Sequence, residues 1–137
     1  GSGILAMYGA MLGASPVEGV DVDEEALRWA EWNLSLNGLT GAVRLSSDPP
    51  DAWKGTFTVV TANLTLDMIL VLLPRLFEGV EPAGILVLSG LLQEQVSPVR
   101  SVLDTAGFEV TRELGQEEWV CLTARRPGAP TQEESAP

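Results

Sequence analysis

The fold is decided by "PVEGVDVD" (Pro16–Asp23) and by the segment that follows it, "DEEALRWAEWNLSLNG" (Asp23–Gly38). The first segment is a short valine-rich run that ends in acidic residues, which predicts a buried strand. The second begins with Asp23, a favourable helix N-cap, carries acidic residues in its first turn and closes on Asn-Gly. A strand that leads directly into an amphipathic helix predicts part of a β-α-β unit.

The same alternation of strands and helices continues outward from this stretch. Before it, "ILAMYGAMLGA" (Ile4–Ala14) predicts a short buried helix that Gly13 helps to end. After it, the pattern predicts strands over Ala42–Ser47, Phe57–Leu64 and Glu81–Gly90, helices over Thr65–Val80 and Leu91–Gly107, and an antiparallel hairpin over Phe108–Arg126 with Gly115 and Gln116 between its strands. Pro74 predicts a kink or an early end of its helix. This order predicts an α/β fold with a doubly wound, mostly parallel sheet.

Length and composition are those of one globular domain. The chain has 137 residues, of which 45% are hydrophobic and 20% charged. We predict one domain over residues 1–127, and the polar, proline-containing composition predicts a disordered tail over residues 128–137.

Charge and residue content exclude several classes of function. The chain has 8 Lys and Arg against 19 Asp and Glu, a net charge of −11, which argues against a nucleic-acid surface and suits a basic protein partner. Cys121 is the single cysteine and the chain has no histidine, so the sequence offers no disulfide, no metal site built from these residues and no histidine-dependent triad. No membrane-length apolar run is present. We therefore expect a cytoplasmic protein without nucleic acid, membrane or metal as a partner.

Glycine and acidic residues near the first predicted strand are the first candidates for a ligand site, because doubly wound sheets bind ligands beyond the carboxyl ends of their strands. Gly1-Ser2-Gly3 leads into the first helix, where a ligand could approach the backbone, although a plain turn or a cloning scar would also have this sequence. Asp21 follows Gly3 at about the spacing of a ribose-binding acid. The alternative is that Asp21 caps the next helix, but Asp23 is better placed to do so.

Two later strands also end in polar residues. Ser46–Asp48 could meet the edge of an adenine or could form an ordinary surface turn. Asn63 ends an apolar strand, where an amide is costly unless something hydrogen-bonds to it, and its oxygen could accept a hydrogen bond from an amine. The alternative is a helix cap, a role that Thr65 could fill. Together these residues suit an adenosine-type cofactor and a neutral nitrogen nucleophile.

A resemblance to a known family rests on five segments that follow one another in the family's order and spacing, "GSGILA…LGA", "GVDVDEEAL…A…N…NG", "VTANL", "GILVLSGLLQEQ…V…AGF" and "EEWVCLTARRP". From Gly1 to about Pro127 the chain resembles the ribosomal protein L11 methyltransferase family. The resemblance implies a Rossmann-like class I methyltransferase fold with a C-terminal antiparallel hairpin. It also implies S-adenosyl-L-methionine as the cofactor, and lysine side chains and the N-terminal amine of ribosomal protein L11 as the acceptors.

The same resemblance assigns roles to individual residues. It implies that Gly1 and Gly3 belong to the cofactor loop, that Asp21 binds the ribose hydroxyls, and that Ser47 or Asp48 lies near the adenine. It places Asn63 near both the transferred methyl group and the incoming amine, as the catalytic residue. It further implies that residues at the ends of two strands help to wall the acceptor site, namely Leu64, Ser89 and Gly90.

The sequence departs from the family pattern before Gly1, where the family has a strand and "D-x-G-[TC]", and it lacks the family's substrate-recognition domain. We expect a catalytic domain that is N-terminally truncated, with open strand edges at Pro16–Val22 and Phe57–Asn63, and we expect the isolated chain to bind the cofactor weakly or not at all. Two other functions stay open: a methyltransferase of this fold acting on another protein or a small-molecule amine, and a non-catalytic remnant. An apolar stripe on the second helix would either meet missing structure or be fully packed, and it comprises Trp29, Trp32 and Leu36.

Overall fold

The computed structural model describes residues 1–129, which fall into two compact units with the division between Trp53 and Lys54. The tail predicted over residues 128–137 lies, from residue 130 onward, outside the described residues. Within residues 1–129 no helix has both the length and the apolar character needed to cross a membrane.

The first unit contains two helices and a small parallel sheet. Its elements are α1 (Ile4–Met11), β1 (Glu18–Val20), α2 (Glu24–Leu36), β2 (Arg44–Ser46) and a short 3-10 turn over Pro50–Ala52. β1 and β2 pair in parallel, with Val20 opposite Ser46. The cap prediction for α2 is confirmed, because the Asp23 carboxylate accepts a hydrogen bond of 2.9 Å from the Glu25 backbone N–H.

Two burial predictions for this unit are wrong. No residue of α1 is buried, although the sequence predicts a buried helix, and Ile4, Tyr8 and Met11 are all more than 60% exposed. β1 is three residues long rather than a buried strand over Pro16–Asp23, and Val20 is exposed. Two strands of three residues each offer too little apolar surface to cover a helix.

The apolar stripe on α2 is also exposed, so the fully packed alternative is not what this structure has. Trp29 and Trp32 are each 59% exposed and Leu36 is 66% exposed. By contrast, Ala30 and Leu34 are buried, and they lie one turn apart on another face of the helix.

The second unit is a four-stranded sheet with two helices. Its elements are β3 (Phe57–Asn63), α3 (Leu66–Gly79), β4 (Val80–Leu92), a 3-10 turn over Gln93–Gln95, α4 (Val96–Ala106), β5 (Glu109–Gln116) and β6 (Trp119–Arg125). The strand order is β3-β4-β6-β5, in which β3 and β4 are parallel and β6 is antiparallel to both of its neighbours. The predicted parallel strands and closing antiparallel hairpin are confirmed. Among the described residues, β1 pairs only with β2 and β3 only with β4.

The core of the second unit lies between this sheet and its helices. Alternating residues of β4 and β6 are buried, as expected for side chains that leave a strand on alternate faces. In α3 the buried residues recur at helical spacing, at Ile69, Leu73 and Leu76. The largest fully buried side chains of the unit are Ile69, Val80, Leu86, Leu88, Leu91, Val99, Leu103 and Leu122.

Three predicted boundaries in this unit are wrong. α3 does not end early at Pro74 but continues to Gly79, because one lost backbone N–H is outweighed by the buried leucines on either side. Leu91 and Leu92 extend β4 instead of starting a helix, since they pair with β6. Gly115 and Gln116 pair within the hairpin, and the turn lies two residues later, where Glu117 has a φ of 56°.

A single arginine closes the C-terminal end of α3. Arg126 Nη1 donates hydrogen bonds to the carbonyl oxygens of Phe77, at 3.0 Å, and Val80, at 2.7 Å. Its guanidinium lies 4.2 Å from the centre of the Phe77 ring, which meets Phe108 edge to face at 5.1 Å. Arg126, the residue after β6, therefore links the last strand to the C-terminal end of α3, and its contact Phe77 lies 49 residues earlier in the chain.

Candidate functional site

Asp21 connects the glycine loop, Gly1-Ser2-Gly3, to the start of α2. It follows β1 directly, and its backbone N–H donates to the Ser46 carbonyl at 3.2 Å. One carboxylate oxygen accepts a hydrogen bond from the Gly1 amine, and the other accepts one of 2.9 Å from the Asp23 backbone N–H. These two hydrogen bonds, the first being the larger cause, lower the pKa of the Asp21 carboxyl below its usual value. Asp21 is therefore ionised at neutral pH.

The glycine loop lies against α2. Gly3 has a φ of 82°, a left-handed conformation that favours glycine. A Cβ at Gly3 would lie 3.0 Å from the Ala30 Cβ, so even alanine would crowd the helix. Asn33 Nδ2 also donates a hydrogen bond of 3.1 Å to the Ser2 carbonyl. Ala30 and Asn33 are both part of the "A…N…NG" spacing, but nothing in the sequence marks Asn33 as a site candidate.

Ser47 and Asp48 follow β2 at the same edge of the small sheet as Asp21, since Val20 and Ser46 are opposite each other. Ser47 is exposed. The Asp48 carboxylate lies 4.0 Å from the Arg44 guanidinium, and its backbone carbonyl accepts a hydrogen bond of 3.0 Å from the Trp53 indole. The structure thus brings the first unit's sequence candidates, Gly1, Gly3, Asp21, Ser47 and Asp48, to one loop and one sheet edge.

Asn63, Leu64, Ser89 and Gly90 form a second cluster, within the second unit. Asn63 ends β3 opposite Ser89 of β4, and the Leu64 N–H donates to the Ser89 carbonyl at 3.3 Å. Gly90 has a φ of 85° and lies where the pairing of β4 with β6 is interrupted between Leu88 and Leu91. A Cβ at Gly90 would overlap Asn63 Oδ1 and would lie 3.3 Å from the Leu64 carbonyl. Gly90 therefore leaves the space that the Asn63 carboxamide occupies.

The strand that carries Asn63 has one open edge, as expected for Phe57–Asn63. Among the described residues β3 pairs only with β4, and Asn63 is exposed. Its side chain is not held by burial in an apolar strand. The same exposure leaves the Asn63 side chain accessible to a ligand.

Cys121 is not an activated nucleophile. It lies half-buried on β6, and burial raises the pKa of its thiol above the usual value. Within residues 1–129 there is also no group of three or more His, Cys, Asp and Glu side chains arranged to hold a metal ion.

Because the folded chain raises the pKa of Cys121, we expect iodoacetamide at about pH 8 to alkylate it several-fold more slowly than in the guanidinium-unfolded chain. The buried neutral thiol contributes stability below the pKa of the unfolded thiol, and this contribution is lost as the pH rises through the folded pKa. Cys121→Val should therefore show a smaller alkaline loss of unfolding free energy. Equal alkylation rates in the folded and unfolded chain would contradict this prediction.

The family comparison covers almost all of the described chain. Residues 1–127 match the family described as ribosomal protein L11 methyltransferase (PrmA). The ribosomal protein L11 methyltransferase of Pelobacter propionicus is 40% identical over 126 residues, 92% of this chain and 41% of that protein. That of Clostridium botulinum (strain Eklund 17B) is 36% identical over 125 residues, 91% of this chain and 40% of that protein. The chain thus spans about two fifths of the length of these relatives.

Solved structures give the same fold. The crystal structure of ribosomal protein L11 methylase from Lactobacillus delbrueckii subsp. bulgaricus aligns with a TM-score of 0.88 and 28% identity, over 93% of this chain and 66% of that one. An RNA methyltransferase from Salinibacter ruber, in complex with S-adenosyl-L-homocysteine, aligns with a TM-score of 0.73 and 19% identity, over 96% of this chain and 79% of that one. The second likeness is one of fold alone. The predicted Rossmann-like methyltransferase fold is confirmed.

Proposed function

Because this chain belongs to the ribosomal protein L11 methyltransferase family, we propose that the protein transfers methyl groups from S-adenosyl-L-methionine to amino groups of ribosomal protein L11. The observation that carries the proposal is the family match over residues 1–127. The acceptors would be lysine side chains and the N-terminal amine, and the reaction would take place in the cytoplasm. The net charge of −11 supports a basic protein substrate, which an acidic protein attracts over long range.

The residues of the first unit fit the cofactor's adenosine. The ionised Asp21 carboxylate would accept hydrogen bonds from the two ribose hydroxyls, and its hydrogen bond from Asp23 holds it in place. Gly1 and Gly3 would let the cofactor approach the loop backbone closely. Ser47 or Asp48 would lie near the adenine, because both follow β2 at the sheet edge of Asp21.

The residues of the second unit fit the amine that receives the methyl group. S-adenosylmethionine, when bound, supplies a methyl group already activated by its sulfonium. Asn63 Oδ1 would accept a hydrogen bond from the neutral amine and so orient the nitrogen lone pair. Leu64, Ser89 and Gly90 would wall this position and limit the access of water. Alignment of this kind needs no histidine.

Methyl transfer from radiolabelled cofactor to purified ribosomal protein L11 tests the proposal directly. We expect the native-length protein, that is, the protein expressed at the full length of its relatives, to label L11. We expect much less label when the lysines and the N-terminal amine of L11 have been blocked by acetylation. Label that enters another protein or a small amine, but not L11, would support the same fold with another acceptor. No transfer to any amine would support the non-catalytic remnant.

Asp21→Asn is expected to raise the KM for S-adenosylmethionine about 20-fold, with kcat little changed, because the ribose hydroxyls lose a charged acceptor. Steady-state kinetics with L11 in excess measure this effect. Asp23→Asn is the matched control, since asparagine is also a good N-cap and α2 should keep its start. The assigned role of Asp21 would be wrong if both variants raised the KM equally.

A further inference from the structure

One face of α2 holds the glycine loop by two contacts. Ala30 and Asn33 are three residues apart and therefore lie on the same side of the helix. Ala30 is only 2% exposed, and a Cβ at Gly3 would come within 3.0 Å of its own Cβ, so the loop backbone packs directly on it. Asn33, which is half-buried, donates its side-chain N–H to the Ser2 carbonyl at 3.1 Å.

The hydrogen bond from Asn33 restrains a loop whose two glycines have wide backbone freedom. Glycine has more backbone freedom than any other residue, so a Gly-Ser-Gly loop is ordered only by its contacts. The Gly3 carbonyl is held by the Met7 N–H, at 2.9 Å, in the first turn of α1. The Ser2 carbonyl is held by Asn33. These two contacts fix the peptide groups on either side of Gly3.

The direction of one carbonyl sets the direction of the next N–H. In a planar trans peptide group the C=O and the N–H point in opposite directions. Because the Ser2 carbonyl points at Asn33, the Gly3 N–H of the same peptide group points away from α2. A backbone N–H directed outward at the start of a helix is a donor for a negatively charged or polar ligand group.

We propose that Asn33 is a positioning residue for the glycine loop, which would bind the cofactor. It fixes the Ser2–Gly3 peptide group so that the Gly3 N–H faces the cofactor, and it does so without touching the cofactor itself. This role rests on the proposed function, since it assumes that the loop binds S-adenosylmethionine. It also explains why the small Ala30 and the amide Asn33 occur one turn apart on this face.

Asn33→Asp tests the role, because aspartate keeps the shape of the side chain, removes the donor and repels the carbonyl. We expect hydrogen exchange of the Met7 amide to be several-fold faster, since that amide bonds to the Gly3 carbonyl. In the native-length protein we expect the KM for S-adenosylmethionine to rise about fivefold, with kcat and the KM for L11 within about twofold. Ser35→Ala is the matched control on the same helix, since the Ser35 hydroxyl donates to the Trp32 carbonyl of α2 and not to the glycine loop, and it should leave every value unchanged.

Each outcome decides the proposal. Unchanged exchange at Met7 in Asn33→Asp would overturn it, and so would faster exchange with an unchanged KM. Equal effects in Asn33→Asp and Ser35→Ala would reduce the role of Asn33 to general helix stability. If the wild-type protein does not methylate L11, the proposed function fails separately, and calorimetry with S-adenosyl-L-homocysteine then decides whether Asn33→Asp weakens binding. Equal binding, or no binding to either protein, would overturn the positioning role.

Discussion

Asn63→Ala is expected to lower kcat for methyl transfer to L11 about 100-fold, while the KM for S-adenosylmethionine stays within about threefold. The expected loss is large because Asn63 Oδ1 is the acceptor that would orient the amine, and misalignment of reacting groups is costly even when both still bind. Two contacts support this role for Asn63: Gly90 leaves room for the Asn63 carboxamide, and pairing with Ser89 fixes the position of Asn63 at the end of β3. Steady-state rates at saturating L11 measure the change.

Two further variants separate alignment from a loss of structure. Thr61→Ala changes an exposed residue two positions earlier on β3, on the same face of the strand, and should leave kcat within about twofold. Asn63→Asp should move the rise of kcat to higher pH, because a carboxylate beside an amine raises the pKa of its ammonium form. An alanine variant that keeps kcat within about threefold of wild type would refute the catalytic role of Asn63.

The order of strands and helices could be predicted from the sequence because it depends on local patterns. Asp23 has the residue type and position of an N-cap, and its carboxylate caps α2. Asp21 and Asn63 are predicted from a single rule, that ligand-binding residues follow strands, and in the structure each lies next to other candidates. Sequence position is enough to predict which residues lie near Asp21 and Asn63, because parallel strand pairing determines their neighbours.

Features that depend on contacts distant in sequence could not be predicted in this way. Glycine is typical of turns, but Gly115 pairs with Val120 and therefore stays within a strand. Leu91 has the character of a helix former, but it pairs with the same valine and is fully buried. The link from Asn33 to Ser2 joins residues 31 positions apart, and only the folded chain shows it. Tertiary pairing therefore overrides local preference at these positions.

Arg126→Met is expected to lower the unfolding free energy by about 3 kcal/mol and the melting temperature by roughly 10 °C. Methionine keeps much of the apolar length of the side chain but removes the charge and both hydrogen bonds, which reach the carbonyls of Phe77 and Val80. Hydrogen bonds from a charged donor contribute more than neutral ones, and the contact with the Phe77 ring adds a cation–π term. Urea denaturation and thermal melts measure both quantities.

Arg125→Met is the matched control, because it removes the same charge from the adjacent residue. Arg125 and its partner Glu109 are 47% and 61% exposed, and an exposed ion pair contributes at most about 1 kcal/mol. Arg126→Lys should fall between the two, since it keeps the cation but lacks the planar fork of donors. Equal losses in Arg125→Met and Arg126→Met would show that net charge, rather than closure of the C-terminal end of α3, sets the stability of this unit.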